Sequence, residues 1–84
     1  MMHSVKVFLF SNLREKTGEK EIRIDIRKDE TVRDVLQKLV ETYPALKPHL
    51  TEKIVISINH KIVDRGDLVP PDAEMALLPP VGGG

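Results

Sequence analysis

The sequence predicts an α+β fold with a mixed sheet of four to five strands, one main helix packed on one face, and an extended C-terminal tail. Short stretches rich in β-branched residues occur towards both ends of the chain and alternate with the period of a strand. One longer stretch in the middle has helical spacing instead. The resulting order is strand, strand, helix, strand, short strand, strand, which differs from the repeating βαβ pattern of a doubly wound sheet.

The first half of the chain is predicted to open with a hairpin of two strands, 5–10 and 21–27. The two faces of the first strand consist of Val5, Val7 and Leu9 on one side and of Phe8 and Phe10 on the other. Between the strands, residues 12–17 form a predicted short helix, which Ser11 or Asn12 can cap and which Gly18 ends in a left-handed conformation. In the second strand, isoleucines alternate with charged residues, as expected of a strand with one buried face.

The main helix is predicted to begin at Thr31 and to end at Pro44. Asp34 lies three residues after Thr31, which resembles a capping box with aspartate in place of the usual Glu or Gln. The apolar residues that follow recur at helical spacing and form one stripe, namely Val32, Val35, Leu36, Leu39, Val40 and Tyr43. This stripe is expected to pack on the sheet.

The second half of the chain contains three further predicted strands, 54–58, 62–63 and 74–78, and an irregular segment, 64–72. A hairpin turn is expected at 59–61, because Asn59 tolerates a left-handed conformation. If the first and last strands lie parallel in the centre of the sheet, the tail leaves from the middle of that sheet. The predicted architecture is therefore a β-grasp, or ubiquitin-like, domain over residues 1–78, followed by the tail, 79–84.

The composition excludes several classes of function. The 13 basic and 13 acidic residues give no net charge, which argues against binding to nucleic acid or to an anionic membrane. The chain has no cysteine, so disulfides and thiolate nucleophiles are absent. Neither a signal core nor a run of membrane-spanning length is present, which favours the cytoplasm. The widely spaced His3, His49 and His60 do not predict a metal site.

The last six residues are the most distinctive segment, Pro79-Pro80-Val81-Gly82-Gly83-Gly84. The prolines favour an extended backbone, and the glycines carry no side chain. A tail of this kind, with an ionised carboxylate on Gly84, can enter a channel too narrow for side chains. Composition alone favours a disordered terminus over such a tail. The apolar run 75–78, however, indicates that the base of the tail is anchored in a strand.

Three stretches of the sequence resemble the MoaD/ThiS group of sulfur carriers, and within it the small subunit of molybdopterin synthase. They are residues 5–18, residues 31–44 with their Thr-Val-Arg-Asp-Val-Leu opening, and residues 58–63 together with 74–84. The Pro-Pro-Val-x-Gly-Gly ending is the most specific part. The sequence departs from the family at Asp72, where glycine is common, and at Gly82, where Ser, Ala or Thr is common.

The resemblance implies a mechanism in which the chain's own end is the reactive group. An E1-like enzyme would adenylate the carboxylate of Gly84 with ATP, and sulfur from a sulfurtransferase would replace AMP to leave a thiocarboxylate. The tail would then enter the large subunit of molybdopterin synthase, in a heterotetramer, and give its sulfur to the pterin precursor of the molybdenum cofactor. The carrier itself would bind no cofactor, and the catalytic residues would belong to its partners.

The resemblance also implies which residues contact the partner. These are the apolar Phe10, Ile62 and Leu78, together with the tail residues Pro79, Pro80, Val81, Gly82 and Gly83. Three alternatives stay open: a ubiquitin-like modifier that joins Gly84 to a lysine, a sulfur carrier for thiamine synthesis or tRNA thiolation, and a β-grasp interaction module with an inert tail.

Overall fold

A five-stranded mixed sheet organises the molecule. The computed structural model describes residues 2–79. Its strands are β1 (Met2–Leu9), β2 (Glu21–Arg27), β3 (Val55–Ile58), β4 (Lys61–Val63) and β5 (Glu74–Leu78). Three helical segments connect them: α1 (Asn12–Thr17), α2 (Val32–Thr42) and a 3-10 helix (Pro44–His49).

The strand order β2-β1-β5-β3-β4 places the first and last strands side by side in the centre. β1 and β5 run parallel, whereas β1 pairs antiparallel with β2, and β3 pairs antiparallel with both β4 and β5. This confirms the predicted opening hairpin, the parallel central pair and the β-grasp architecture. Leu78 and Pro79 therefore lie where the chain leaves the central strand β5.

The core lies between one face of the sheet and the helices. Val5, Val7 and Leu9 of β1 are buried there, and the alternation predicted for this strand is confirmed. From α2 the core receives Val32, Val35, Leu36 and Leu39. Burying a side chain of this size contributes about 1.5–3 kcal/mol. Val40 and Tyr43, which belong to the predicted stripe, are only half-buried at its margin.

The structure differs from the sequence prediction at several boundaries. β1 ends at Leu9 rather than at residue 10, and β3 begins at Val55 rather than at residue 54. β1 begins at Met2 rather than residue 5, because residues 2–4 pair with the end of β2. The expected loop after Pro44 is a 3-10 helix, since a proline in the first turn lacks only a donor that the helix does not use. Lys61, expected in a turn, already pairs with Ile58 as the first residue of β4.

Left-handed residues form the tight turns. Asn59 and His60 have φ angles of 50° and 71° and make up the two-residue loop between β3 and β4, the pattern of a type I′ hairpin. Gly18 has a φ of 74°, and its N–H donates to the carbonyl of Arg14, so the predicted end of α1 is confirmed. Asp72, where the resembling family often has glycine, has a φ of 57° and so lies in the left-handed region.

Candidate partner-binding face and tail attachment

The predicted site consists of three apolar residues and the tail, and of the tail the structure describes only Pro79. Pro79 follows β5 directly and is half-buried. The remaining tail residues lie outside the described residues, namely Pro80, Val81, Gly82, Gly83 and Gly84. The predicted separation of a tail from the domain therefore stays a prediction. The predicted apolar residues Phe10, Ile62 and Leu78 are all described.

Strand register brings apolar side chains into one row on the face of the sheet that the helices do not cover. Phe8 of β1 lies opposite Ala76 of β5, and Ala76 lies opposite Ser57 of β3. Ser57 in turn lies opposite Ile62 of β4. Since residues directly opposite one another point to the same face, Ile62 shares a face with Phe8, although the two residues are far apart in sequence. Its side chain is 79% exposed.

Phe10 and Leu78 extend this row towards the beginning of the tail. Each side chain is 37% exposed. They border a depression of about 370 Å³ whose lining residues are Phe8, Phe10, Ser57, His60, Glu74, Ala76 and Leu78. We call these seven residues together with Ile62 the uncovered-sheet face. The structure thus brings the three predicted docking residues to one side of the sheet, beside the strand that carries the tail.

The position of Phe10 is fixed by the reversal of the chain after β1. Its carbonyl accepts the N–H of Leu13 at 3.1 Å, which ties it to the first turn of α1. Ser11 occupies the cap position of α1 with a φ of 52°, but its side chain makes no capping hydrogen bond. Arg14 donates from Nε to the carbonyl of Leu9 at 3.5 Å, so this arginine helps to hold the end of β1.

The other end of the depression is held by Asn59. Its N–H donates to the carbonyl of Glu74 at 2.9 Å, and its Oδ1 accepts the N–H of Glu74 at 3.0 Å. This reciprocal pair attaches the β3–β4 hairpin to the start of β5 and places His60 at the rim. Five residues that line the depression were not among the predicted contact residues, namely Phe8, Ser57, His60, Glu74 and Ala76. The alternation along 74–78 carried a signal for Glu74 and Ala76, because both share a face with Leu78.

Along β5, the side of the sheet that the helices do not cover changes from charged to apolar. At the start of β5, an adjoining depression of about 400 Å³ is lined by Ser4, Lys6, Arg23, Asp72 and Glu74. At its end lie Phe10 and Leu78, next to Pro79. Large apolar groups left exposed in this way are typical of binding surfaces. The apolar end is therefore the part of the face best suited to hold a partner near the tail.

Two carboxylates with shifted pKa values lie at the start of α2. The N–H of Arg27 donates to Oε1 of Glu30 at 3.0 Å and, with Lys38, lowers the pKa of Glu30 below its ordinary value of 4.5. The N–H of Thr31 donates to Oδ2 of Asp34 at 2.8 Å and, with the Thr31 hydroxyl, lowers the pKa of Asp34 below 3.8. The predicted capping box is present. Both pKa shifts arise from hydrogen bonds at the start of α2, and neither carboxylate belongs to the candidate site.

Two further properties concern the whole described part of the chain. Between residues 2 and 79, no three His, Asp or Glu side chains come together as metal ligands. None of the helices in that range has the length and apolar character needed to cross a membrane.

The fold and the exposed central-strand face define a small ubiquitin-like protein of the carrier or modifier class. The model of the ThiS family matches residues 7–84, so the chain belongs to that family. It is 35% identical over 83 residues to the small archaeal modifier protein 1 of Haloferax volcanii, covering 90% of this chain and 95% of that one. It is 30% identical over 87 residues to the molybdopterin synthase sulfur carrier subunit of Dictyostelium discoideum, with complete coverage of both.

One of the solved structures similar to this chain is a complex of two proteins. The complex of subunits 1 and 2 of the molybdopterin-converting factor from Helicobacter pylori contains a chain that is 26% identical to this one. The match has a TM-score of 0.66 and covers 100% of both chains. In that relative, a domain of this fold is bound to a second protein.

Proposed function

We propose that this chain is the sulfur carrier subunit of a molybdopterin synthase, with the C-terminal carboxylate of Gly84 as the group that carries sulfur. The observation that carries the proposal is the path of β5. This central strand passes the exposed Phe10 and Leu78 and leads through Pro79 directly into the Pro-Val-Gly-Gly-Gly segment. A partner bound on the uncovered-sheet face would therefore be next to the origin of the tail.

The chemistry follows from the poor reactivity of a carboxylate. An oxygen of the Gly84 carboxylate attacks the α-phosphorus of ATP, pyrophosphate leaves, and an acyl adenylate forms. The terminal sulfur of a sulfurtransferase persulfide then attacks the acyl carbon, and AMP leaves with the bonding electrons. A thiol next attacks the inner sulfur of the resulting acyl disulfide, so that a disulfide forms on the sulfurtransferase side and the thiocarboxylate leaves. The product is a thiocarboxylate. This chain supplies the acyl group, whereas an E1-like enzyme supplies the ATP site and the catalytic groups.

The partner that would consume the sulfur is the large subunit of molybdopterin synthase. Phe10, Leu78 and Ile62 would dock on it, and the glycines would pass into its active site because they have no side chains. The name of the Dictyostelium relative and the two-subunit assembly of the Helicobacter relative support this partner. There the thiocarboxylate sulfur would attack the pterin precursor, and water would then cleave the acyl–sulfur bond, which leaves the sulfur on the pterin and returns Gly84 to a carboxylate.

A second candidate function is protein modification. It is favoured by the 35% identity to a relative named small archaeal modifier protein 1. In that case the activated Gly84 would react with the ε-amine of a lysine and form an amide. Both functions share the adenylation step and differ only in the nucleophile that follows.

The test is the mass of the intact protein after incubation with an E1-like enzyme, ATP and a sulfurtransferase with its sulfur source. The expected result is a gain equal to the difference between one sulfur and one oxygen atom, lost again when the large subunit and pterin precursor are added. A chain lacking Gly84 and a reaction without ATP are the controls. Lysine-linked adducts in place of the thiocarboxylate would favour the second function, and an unchanged mass would overturn both.

A further inference from the structure

A second surface lies on the helical side of the sheet, away from the uncovered-sheet face. It is a groove of about 430 Å³ between α2, the end of the 3-10 helix and the loop after β4. Three apolar side chains line it, Leu36, Val40 and Leu50, together with three cations and one amide, Arg33, Lys47, Arg65 and Gln37. We call this the helix-side groove.

The walls of the helix-side groove are held in place by hydrogen bonds. The N–H of Arg33 donates to the carbonyl of Arg65 at 2.9 Å, which joins α2 to the loop after β4. The guanidinium of Arg65 donates to the carbonyl of Thr51, which joins that loop to the segment after the 3-10 helix. The N–H of Leu50 donates to the carbonyl of Leu46 at 3.1 Å. The groove is therefore preformed, and a ligand need not order it on binding.

The charged residues that line the groove are all basic. The chain as a whole has equal numbers of acidic and basic residues, but no carboxylate is among the residues that line this groove. In the described range, 2–79, the single salt bridge joins Lys38 to Glu30. Arg33, Lys47 and Arg65 therefore have no carboxylate partner within that range.

We propose that the helix-side groove binds an acidic segment of a partner protein that also carries leucine-sized side chains. Carboxylates of such a segment would pair with the three cations, and its apolar side chains would cover Val40 and Leu50, which are only half-buried. An uncharged apolar segment would leave the cations unpaired. Because the groove and the uncovered-sheet face belong to opposite layers, the acidic segment and a partner of the tail can bind at the same time.

The test uses nitrogen-15-labelled full-length protein and a synthetic peptide in which leucines are separated by glutamates. Addition of the peptide is expected to shift the amide resonances of Arg33, Gln37, Lys47, Leu50 and Arg65. The resonances of Phe8, Phe10 and Leu78 are expected to stay unchanged. Higher salt should weaken binding, because the Debye length is about 8 Å at physiological ionic strength.

Matched variants distinguish the effect of the groove cations on peptide binding from a general effect of the change in net charge. Arg33→Glu combined with Lys47→Glu should weaken peptide binding about tenfold or more. Arg23→Glu combined with Lys28→Glu makes the same change of net charge outside the groove and should leave binding unchanged. Two peptide variants, with lysine in place of glutamate or serine in place of leucine, test the same contacts without altering the protein, and both should bind more weakly.

Three results would overturn the proposal. The first is the absence of shifts at the groove, and the second is equal binding of the acidic and lysine peptides. The third is binding of a short RNA oligonucleotide at the groove with no binding of the acidic peptide, because that would assign the cations to phosphates. None of these results depends on the thiocarboxylate, so the proposal fails or stands separately from the proposed function.

Discussion

Single carboxylates at the start of α2 link the helix to its surroundings. Oε1 of Glu30 accepts the N–H of Arg27 and the ammonium of Lys38, each at 3.0 Å. Lys38 Nζ also donates to the carbonyl of Asp25 in β2 at 3.0 Å. Asp34 receives both donors of Thr31. Hydrogen bonds to the charged form lower a carboxyl pKa, so both groups stabilise the native state most when they are ionised.

These shifts predict a loss of stability in acid. A carboxyl with a lowered native pKa contributes stability above its unfolded-state pKa and loses it as the pH falls through the native value. The unfolded state binds the proton more readily, so the free energy of unfolding should rise with pH in this window. For Glu30 and Asp34 the loss begins near their ordinary values of 4.5 and 3.8 and continues below them.

The measurement is urea denaturation between about pH 6 and about pH 3. Asp34→Asn should flatten the decline in stability because it removes one of the two carboxyls whose pKa is lowered in the native state. Asp29→Asn is the matched control, since the Asp29 side chain makes no hydrogen bond inside the described range, and it should retain the wild-type slope. Equal slopes for the two variants would contradict the role assigned to Asp34.

The backbone conformation of Asp72 could be predicted only in part from the sequence. The aspartate stands where the resembling family often has glycine, which raised the expectation that the turn before β5 could differ. Its φ of 57° shows that Asp72 adopts the left-handed conformation that glycine adopts most readily. Aspartate tolerates this conformation better than most residues because its short polar side chain can bond locally. The sequence alone could not decide this, since the cost depends on the surrounding chain.

At the scale of elements, α1 is the clearest case of a boundary set by one residue. Gly18 ends it in the left-handed conformation, and its N–H donates to the carbonyl of Arg14 at 2.7 Å. A Cβ added at Gly18 would meet no atom within 4 Å. The requirement for glycine is therefore one of backbone conformation and not of space.

Gly18→Ala should lower the free energy of unfolding by about 1 kcal/mol, because alanine is disfavoured at positive φ. Gly66→Ala provides the control. A Cβ at Gly66 also meets nothing within 4 Å, and no positive φ is found there. Thermal or chemical denaturation of both variants is the measurement. A destabilisation of equal size at the two glycines would show that the left-handed conformation is not the cause.

Helices and strands could be predicted where the residue pattern within one segment identifies them. They were predicted less well where pairing with another strand determines their bounds. The alternation of β1 and β2, the apolar run of β5 and the helical stripe of α2 were visible in the sequence. The early start of β1 was not, because Met2, His3 and Ser4 become strand through their pairing with β2. The row that brings Ile62 to the face of Phe8 likewise depends on the register of four strands. A sequence pattern does not contain that register.

At the scale of the whole molecule, the apolar end of the uncovered-sheet face makes a quantitative prediction. Phe10→Ala and Leu78→Ala should each weaken the proposed complex with the large subunit by about 2 kcal/mol, as expected for interface anchors. Both side chains are partly exposed in the free protein, so the fold should persist. Isothermal titration calorimetry measures the affinities, and circular dichroism checks the fold.

Leu68→Ala is the control for these variants. Leu68 is 62% exposed and forms a bridge with Thr31 near the start of α2, outside the uncovered-sheet face. Its truncation should leave the affinity unchanged. If Leu68→Ala weakens the complex as much as Phe10→Ala, the partner does not bind selectively at the end of β5.

The central position of β5 also bears on how the protein is made. Until residues 74–78 have emerged from the ribosome, β1 and β3 lack the strand that joins them, and Met75 and Leu77 are missing from the core. A nascent or prematurely terminated chain would expose two unpaired strand edges, which invite aggregation and proteolysis. A chain that stops before β5 therefore lacks the strand that completes the sheet, and we expect such a chain to be degraded rather than to accumulate.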